Sequence, residues 1–240
     1  MKGKKKKLWK VLGLVLLVLL VVFAGTAGVL IKTLVYPDPL VSGSGDTKII
    51  CVGDSLTFSQ GVYGSRKTES FPAVLAELMG DDYQVVNYGL PNRTLLSTGN
   101  MPYTNETFAK TSLEEDADIV IIMLGSNDSK PVNWDADRFL KEYTAFVKNY
   151  QNMDSGPEVY VMLPTQLFTE PKNDGDGRND TLGSEVIPAV RKVAERTGAG
   201  LIDLYSLSAG HPEWFADGAH PNAEGNRAVA EEIARVLKAN

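Results

Sequence analysis

Five short runs rich in β-branched and other apolar residues recur along the chain: Lys48 to Val52, Gln84 to Tyr88, Asp118 to Leu124, Glu158 to Leu163 and Ala199 to Asp203. Their apolar positions are nearly continuous rather than alternating, so each reads as a strand buried on both faces. The stretches between them, Phe71 to Met79, Asp135 to Gln151, Leu182 to Thr197 and Ala223 to Lys238, space apolar residues by three and four. That spacing is helical, and Pro72 near one start and Gly198 past one end fit helix boundaries. Strand and helix in alternation predict an α/β fold: a three-layer α/β/α, flavodoxin-like arrangement around a mostly parallel five-stranded sheet. Sheets of this kind take ligands at the carboxyl ends of their strands, so function is sought in the loops that follow them.

The N-terminus is built differently. Lys2, Lys4, Lys5, Lys6, Lys7 and Lys10 precede Val11 to Ile31, 21 residues without a charge. At about 1.5 Å per residue that run spans a hydrocarbon core of about 30 Å. The expectation is one N-terminal transmembrane helix, with residues 1–32 as a cytoplasmic basic tip and anchor. Small residues from Ala24 to Ala27 leave a cleaved secretory signal as the alternative, although the apolar character continues beyond them. With the lysines held inside, either reading puts the rest of the chain on the extracytoplasmic side. The protein is then a single-pass cell-membrane protein, or secreted after cleavage. Residues 33–47, with Pro37, Pro39, Gly43 and Gly45, read as a linker, and residues 48–240 as one domain.

Composition excludes several classes. With 43% hydrophobic and 22% charged residues the chain is not disordered. One cysteine and two histidines rule out an internal disulfide and any metal site built on two cysteines or three histidines of this chain. Seven of the 24 Lys and Arg lie in the first 32 residues, where there is no Asp or Glu, leaving 17 basic against 30 acidic residues, net −13, in the remainder. So acidic a body repels phosphate backbones, and no nucleic-acid partner is expected. Asn173 to Asp180 is rich in oxygen ligands, but a calcium-loop register from Asp174 puts Arg178 and Asn179 at unsuitable positions, so it reads as a solvated loop. Gly43 and Gly45 precede the first strand, the wrong order for a dinucleotide fingerprint, and no cofactor is indicated.

Four polar blocks follow the strands: Gly53-Asp54-Ser55-Leu56-Thr57, then Asn87-Tyr88-Gly89, then Gly125-Ser126-Asn127-Asp128, and finally Asp217-Gly218-Ala219-His220-Pro221-Asn222. Together, and in this order, they resemble the SGNH hydrolases, also called the GDSL esterases and lipases, over roughly Ile49 to Ala230. The resemblance implies Ser55 as nucleophile, His220 as base, Asp217 as its orienter, and Gly89 and Asn127 as oxyanion donors. It also implies an acylated carbohydrate or another small acyl ester as substrate, as in the carbohydrate O-acetylesterase members.

The same chemistry can be argued from the residue types. A serine hydroxyl needs an adjacent base, and imidazole, with a free pKa of about 6.5, suits that role near neutral pH. His220 follows a carboxylate by three residues, which lets Asp217 turn back onto the ring. His211, beside Pro212, has no such spacing and reads as a loop residue, with Trp214 and Phe215 able to bring that loop to the substrate. Cys51, the other nucleophile type, lies within a strand, where cysteine serves as a small hydrophobe. The Ser55 backbone N–H, the Gly89 N–H and the Asn127 amide are the candidate donors for an oxyanion hole. Asp54 and Asp128 are expected to support the loops. Each residue alone has a plainer reading: a helix cap for Ser55, a turn glycine for Gly89, an Asx-turn for Asn127. The residue types thus point to a serine esterase, and the resemblance implies small acyl esters of a carbohydrate, acetyl foremost, as its substrates. A lysophospholipase or thioesterase at the membrane, and a catalytically silent binding module, stay open.

Overall fold

The computed structural model describes residues 38–169 and 178–239, together with 15, 17–23, 25 and 26. The chain divides into two units, Met1–Asp38 and Pro39–Asn240. In the first, residues 15, 17–23, 25 and 26 are helical and the apolar side chains described between Val15 and Phe23 are exposed. Among the described residues no helix is long and apolar enough to cross a membrane. Much of the expected span, at 11–14, 16, 24 and 27–31, lies outside the described residues, as do the basic tip and positions 33–37 of the expected linker.

The second unit is a three-layer α/β/α domain. Its sheet has six strands, β1 (Leu40–Gly43), β2 (Thr47–Gly53), β3 (Tyr83–Gly89), β4 (Ile119–Met123), β5 (Glu158–Leu163) and β6 (Gly200–Asp203), in the order β1-β3-β2-β4-β5-β6. The five parallel strands follow the expected alternation, and their order is flavodoxin-like. The expectation of five strands is corrected by β1, which pairs antiparallel with β3 from Leu40↔Asn87 to Gly43↔Gln84. It lies inside the stretch read as linker. An edge strand of four residues, half-buried with every second residue exposed, carries too few apolar positions to stand out from its Pro and Gly neighbours.

The helices that flank the sheet are α1 (Ser55–Phe58), α2 (Phe71–Met79), α3 (Thr107–Leu113), α4 (Ala136–Gln151), α5 (Ile187–Thr197) and α6 (Ala223–Leu237). Side chains alternate across the strands and so feed two cores. On one face Ile50, Val52, Val120, Ile122 and Val161 meet Phe139, Tyr143 and Val147 of α4 and Val190 and Val193 of α5. On the other, Ile49, Cys51, Ile121, Met162 and Ile202 meet Val74 and Leu75 of α2 and Val229, Ala230 and Ile233 of α6. Each fully buried aliphatic side chain contributes about 1.5–3 kcal/mol, and together they fix the sheet that positions the loops. The helix starts are capped locally: Ser70 accepts from Ala73 N, Asp135 from Arg138 N and Asn222 from Gly225 N. The predicted helix over Leu182 to Thr197 opens with a π-helical turn, Leu182–Val186, before α5. Pro188 has no N–H to donate to a carbonyl in that turn.

Candidate active site

The strand order reverses between β2 and β4, and the loops after these strands form the floor of the site. Asp54 follows β2 and caps α1, its Oδ1 accepting from Leu56 N at 2.9 Å. The cap places Ser55 as the first residue of α1, where its N–H has no acceptor within the helix. Ser55 Oγ lies 2.9 Å from His220 Nε2, across 165 residues of sequence. His220 Nδ1 lies 2.6 Å from Asp217 Oδ2. The other oxygen of Asp217 accepts from Ala219 N at 2.9 Å and from His220 N at 2.7 Å, so one carboxylate shapes the loop and orients the ring it carries. Gly218 makes the turn at φ 77°, a conformation that costs glycine little. Burial pushes the Asp217 carboxyl up, but the hydrogen bonds from the His220 ring and the two loop N–H groups outweigh it and hold the group below its usual value. Asp217 is therefore ionised and faces the imidazole as an acceptor.

Behind Ser55 lies a buried polar network. Asp54 Oδ2 accepts from Ser126 Oγ at 2.6 Å and from Asn127 Nδ2 at 3.2 Å, joining the loops after β2 and β4. Burial raises the Asp54 pKa, while Ser126, the Leu56 N–H and the charges of Arg178 and His220 oppose the rise. The Asn127 amide also donates to Arg93 O at 3.2 Å. Asp128 turns the other way and accepts from Leu95 N at 2.9 Å and Leu96 N at 2.8 Å, fastening the loop after β3 to the loop after β4. Burial, with the charge of Asp54 as a smaller contribution, pushes its carboxyl up to about 7 against those N–H donors. Both aspartates thus accept hydrogen bonds from a neighbouring loop.

Gly89 is placed differently from the expectation. Its N–H donates to Asn87 Oδ1 at 2.9 Å, so in this arrangement the donor is already engaged. A Cβ at Gly89 would stand 2.1 Å from Phe58 N, so glycine is required here for α1 to lie against β3. Asn87 completes the junction by donating from Nδ2 to Thr57 O at 2.9 Å.

Sequence reasoning gave no individual role in the site to Asn87, Ser126, Arg93 or Arg178. Asn87, a polar residue inside an apolar strand, carried a readable signal. Arg178 did not: its guanidinium donates to Ser126 O at 2.9 and 3.1 Å from 52 residues away. The rest of the segment read as a solvated loop, at 173–177, lies outside the described residues. Cys51 is buried in β2, and burial pushes its thiol up, which removes it as a nucleophile. His211 does have a carboxylate, Glu213 Oε1 at 2.8 Å, and it stacks on Trp214. Among the described residues no cluster of three or more His, Cys, Asp or Glu could hold a metal ion.

Residues 51–228 match the model of the GDSL-like lipase/acylhydrolase family. The chain belongs to this family. GDSL-type enzymes are carboxylic ester hydrolases. An acetylxylan esterase of Xylanibacter ruminicola is 31% identical over 210 residues, a stretch that covers 80% of this chain and 43% of that protein. The chain thus spans less than half the length of this relative. Among solved structures, a carbohydrate acetylesterase family member from Sinorhizobium meliloti is 25% identical with a TM-score of 0.68, covering 80% of this chain and 98% of its own. The inhibitor-bound aryl esterase of M. smegmatis has a TM-score of 0.69 at 22% identity, covers 80% and 99% of the two chains, and shares the fold.

Proposed function

We propose that this GDSL-family chain is a serine esterase that removes small acyl groups, acetyl foremost, from a carbohydrate on the extracytoplasmic side of a membrane. The observation that carries the reading is the relay Ser55 Oγ to His220 Nε2 at 2.9 Å and His220 Nδ1 to Asp217 Oδ2 at 2.6 Å. In the acylation step the Ser55 proton passes to His220 as Oγ bonds to the ester carbonyl carbon. The carbonyl oxygen takes up the negative charge. His220 then returns the proton to the departing alcohol oxygen as the C–O bond breaks, leaving an acyl-serine. Water repeats the sequence, losing its proton to His220 and releasing the carboxylic acid with Ser55 restored. Asp217 holds the imidazole in the required tautomer and stabilises its cation. The Ser55 N–H at the start of α1 and the Asn127 amide are the proposed oxyanion donors. Recruiting Asn127 requires the substrate oxygen to displace one of its two long bonds, to Asp54 or to Arg93 O, both 3.2 Å.

The carbohydrate assignment is supported by the names of the Xylanibacter and Sinorhizobium relatives. The location is supported by the lysine run and the uncharged stretch from Val11 to Ile31.

The test is a series of chromogenic acyl esters of rising chain length, with Ser55→Ala as control. Acetate is expected to be the preferred acyl group, and Ser55→Ala should lose both turnover and covalent labelling by a fluorophosphonate. A preference for long chains points instead to a lysophospholipase or thioesterase. Labelling that survives in Ser55→Ala would exclude Ser55 as the nucleophile.

A further inference from the structure

The loop after β6 carries more than the base. Between His211 and Asn222 it closes on itself through a β-bridge between Phe215 and Pro221. Asn222 fastens the closure by donating from N to Trp214 O at 2.7 Å and from Nδ2 to Glu213 O at 3.0 Å. Trp214 is buried against the start of α6, where a Cβ at Gly225 would stand 2.9 Å from the Trp214 Cβ. His211 lies flat on it, with ring centroids 4.1 Å apart and planes 6° from parallel. Its side chain is nevertheless 44% exposed. With one face covered by indole, that exposure belongs to the opposite face and edge. The edge is occupied by Glu213, whose Oε1 is 2.8 Å from His211 Nδ1 and whose side chain is 56% exposed. None of this serves Ser55, because the base there is His220.

A flat ring with one open face and a carboxylate at its rim is the pairing that sugar recognition uses. The electron-rich face attracts the C–H groups of a pyranose ring, and the carboxylate accepts from its hydroxyls. Trp214 keeps the ring from turning, so a ligand need not supply the ordering entropy. We propose that His211, stacked on Trp214 and flanked by Glu213, is a subsite for a sugar ring of the substrate adjacent to the ester being cleaved. The subsite rests on the carbohydrate reading above and deepens it: it is held by the same closed loop that holds Asp217 and His220, so a sugar seated on it is fixed relative to the base.

The test compares an acetylated xylo-oligosaccharide with 4-nitrophenyl acetate, which has no pyranose. In His211→Ala the ratio of kcat/KM for the oligosaccharide to that for the aryl ester should fall about tenfold, the loss of one stacking contact, and the fall should lie in KM. His211→Phe restores a flat face and should recover most of the ratio, whereas a merely structural histidine would not be rescued in this selective way. Glu213→Gln should lower the ratio by a smaller factor. An unchanged ratio in His211→Ala, or equal losses on both esters in His211→Ala and His211→Phe, overturns the subsite while leaving the esterase intact. A wild-type protein that cleaves the aryl ester but neither deacetylates nor binds the oligosaccharide overturns the carbohydrate reading and the subsite together.

Discussion

The Ser126 hydroxyl donates to the buried Asp54 carboxyl group at 2.6 Å, the shorter of two bonds that join the loop carrying the proposed nucleophile to the loop carrying Asn127. Ser126→Ala removes the shorter of the two side-chain donors to Oδ2 and leaves only the 3.2 Å contact from Asn127. A buried carboxylate deprived of a donor costs about 1–3 kcal/mol. Thermal denaturation should show a lower Tm, and ester turnover should fall with it because Asn127 is drawn further toward Asp54. An unaltered Tm and turnover would mean that the two loops hold their places without this bond.

The two histidines separate by kinetics. His220→Ala should remove nearly all activity. Asp217→Asn keeps the ring but loses its orienting acceptor, and kcat should fall by roughly 10²–10⁴ with a measurable residue. Because only the neutral imidazole takes a proton, kcat/KM of the wild type should rise with pH to a plateau. His211→Ala should retain that rise. If the rise disappears in His211→Ala while His220→Ala still turns over, the relay has been assigned to the wrong ring.

Asn127→Ala tests the oxyanion proposal. A donor that acts chiefly in the transition state should cost roughly 10²–10³ in kcat with a smaller change in KM. Equal kcat in variant and wild type would confine Asn127 to its bonds with Asp54 and Arg93.

For Gly89 the expectation concerns stability. A methyl group there meets Phe58 N at 2.1 Å, and overpacking of this kind costs about 1–3 kcal/mol. Gly89→Ala should yield less folded protein, measured by denaturant titration. A normal unfolding midpoint would show that α1 can shift away from β3.

Asp128 gives a pH signature. Its carboxyl titrates at about 7 in the fold, against about 3.9 in the unfolded chain. Between these values the unfolded chain has released a proton that the folded one keeps, so stability from this group falls as pH rises from about 4 to about 7 and levels off above. Relative to Asp128→Asn, whose side chain does not titrate, the wild type should lose stability over that window. A constant difference across it would mean that the group is ionised throughout.

Much of this was legible in the chain. The bounds of α2 could be read because its apolar residues are spaced by three and four and Pro72 marks its start, both within local sequence. The relay partners were readable because Asp217 and His220 lie three residues apart in one loop, while their meeting with Ser55 was implied only by resemblance. What escaped was nonlocal or carried no pattern. The register of β1 depends on β3, more than 40 residues away. The reach of Arg178 to Ser126 O and the capture of the Gly89 N–H by Asn87 depend on where the folded backbone places a donor beside an acceptor.

The direction of β1 decides where this enzyme can be handled. Leu40 stands beside Asn87 at the carboxyl end of β3, on the edge where Ser55 and Asn127 are gathered, whereas α6 runs away from that edge until Lys238 Nζ reaches Leu78 O at the far end of α2. Of the two ends, Lys238 therefore lies away from the edge that gathers Ser55 and Asn127, and a carrier joined there leaves that edge clear.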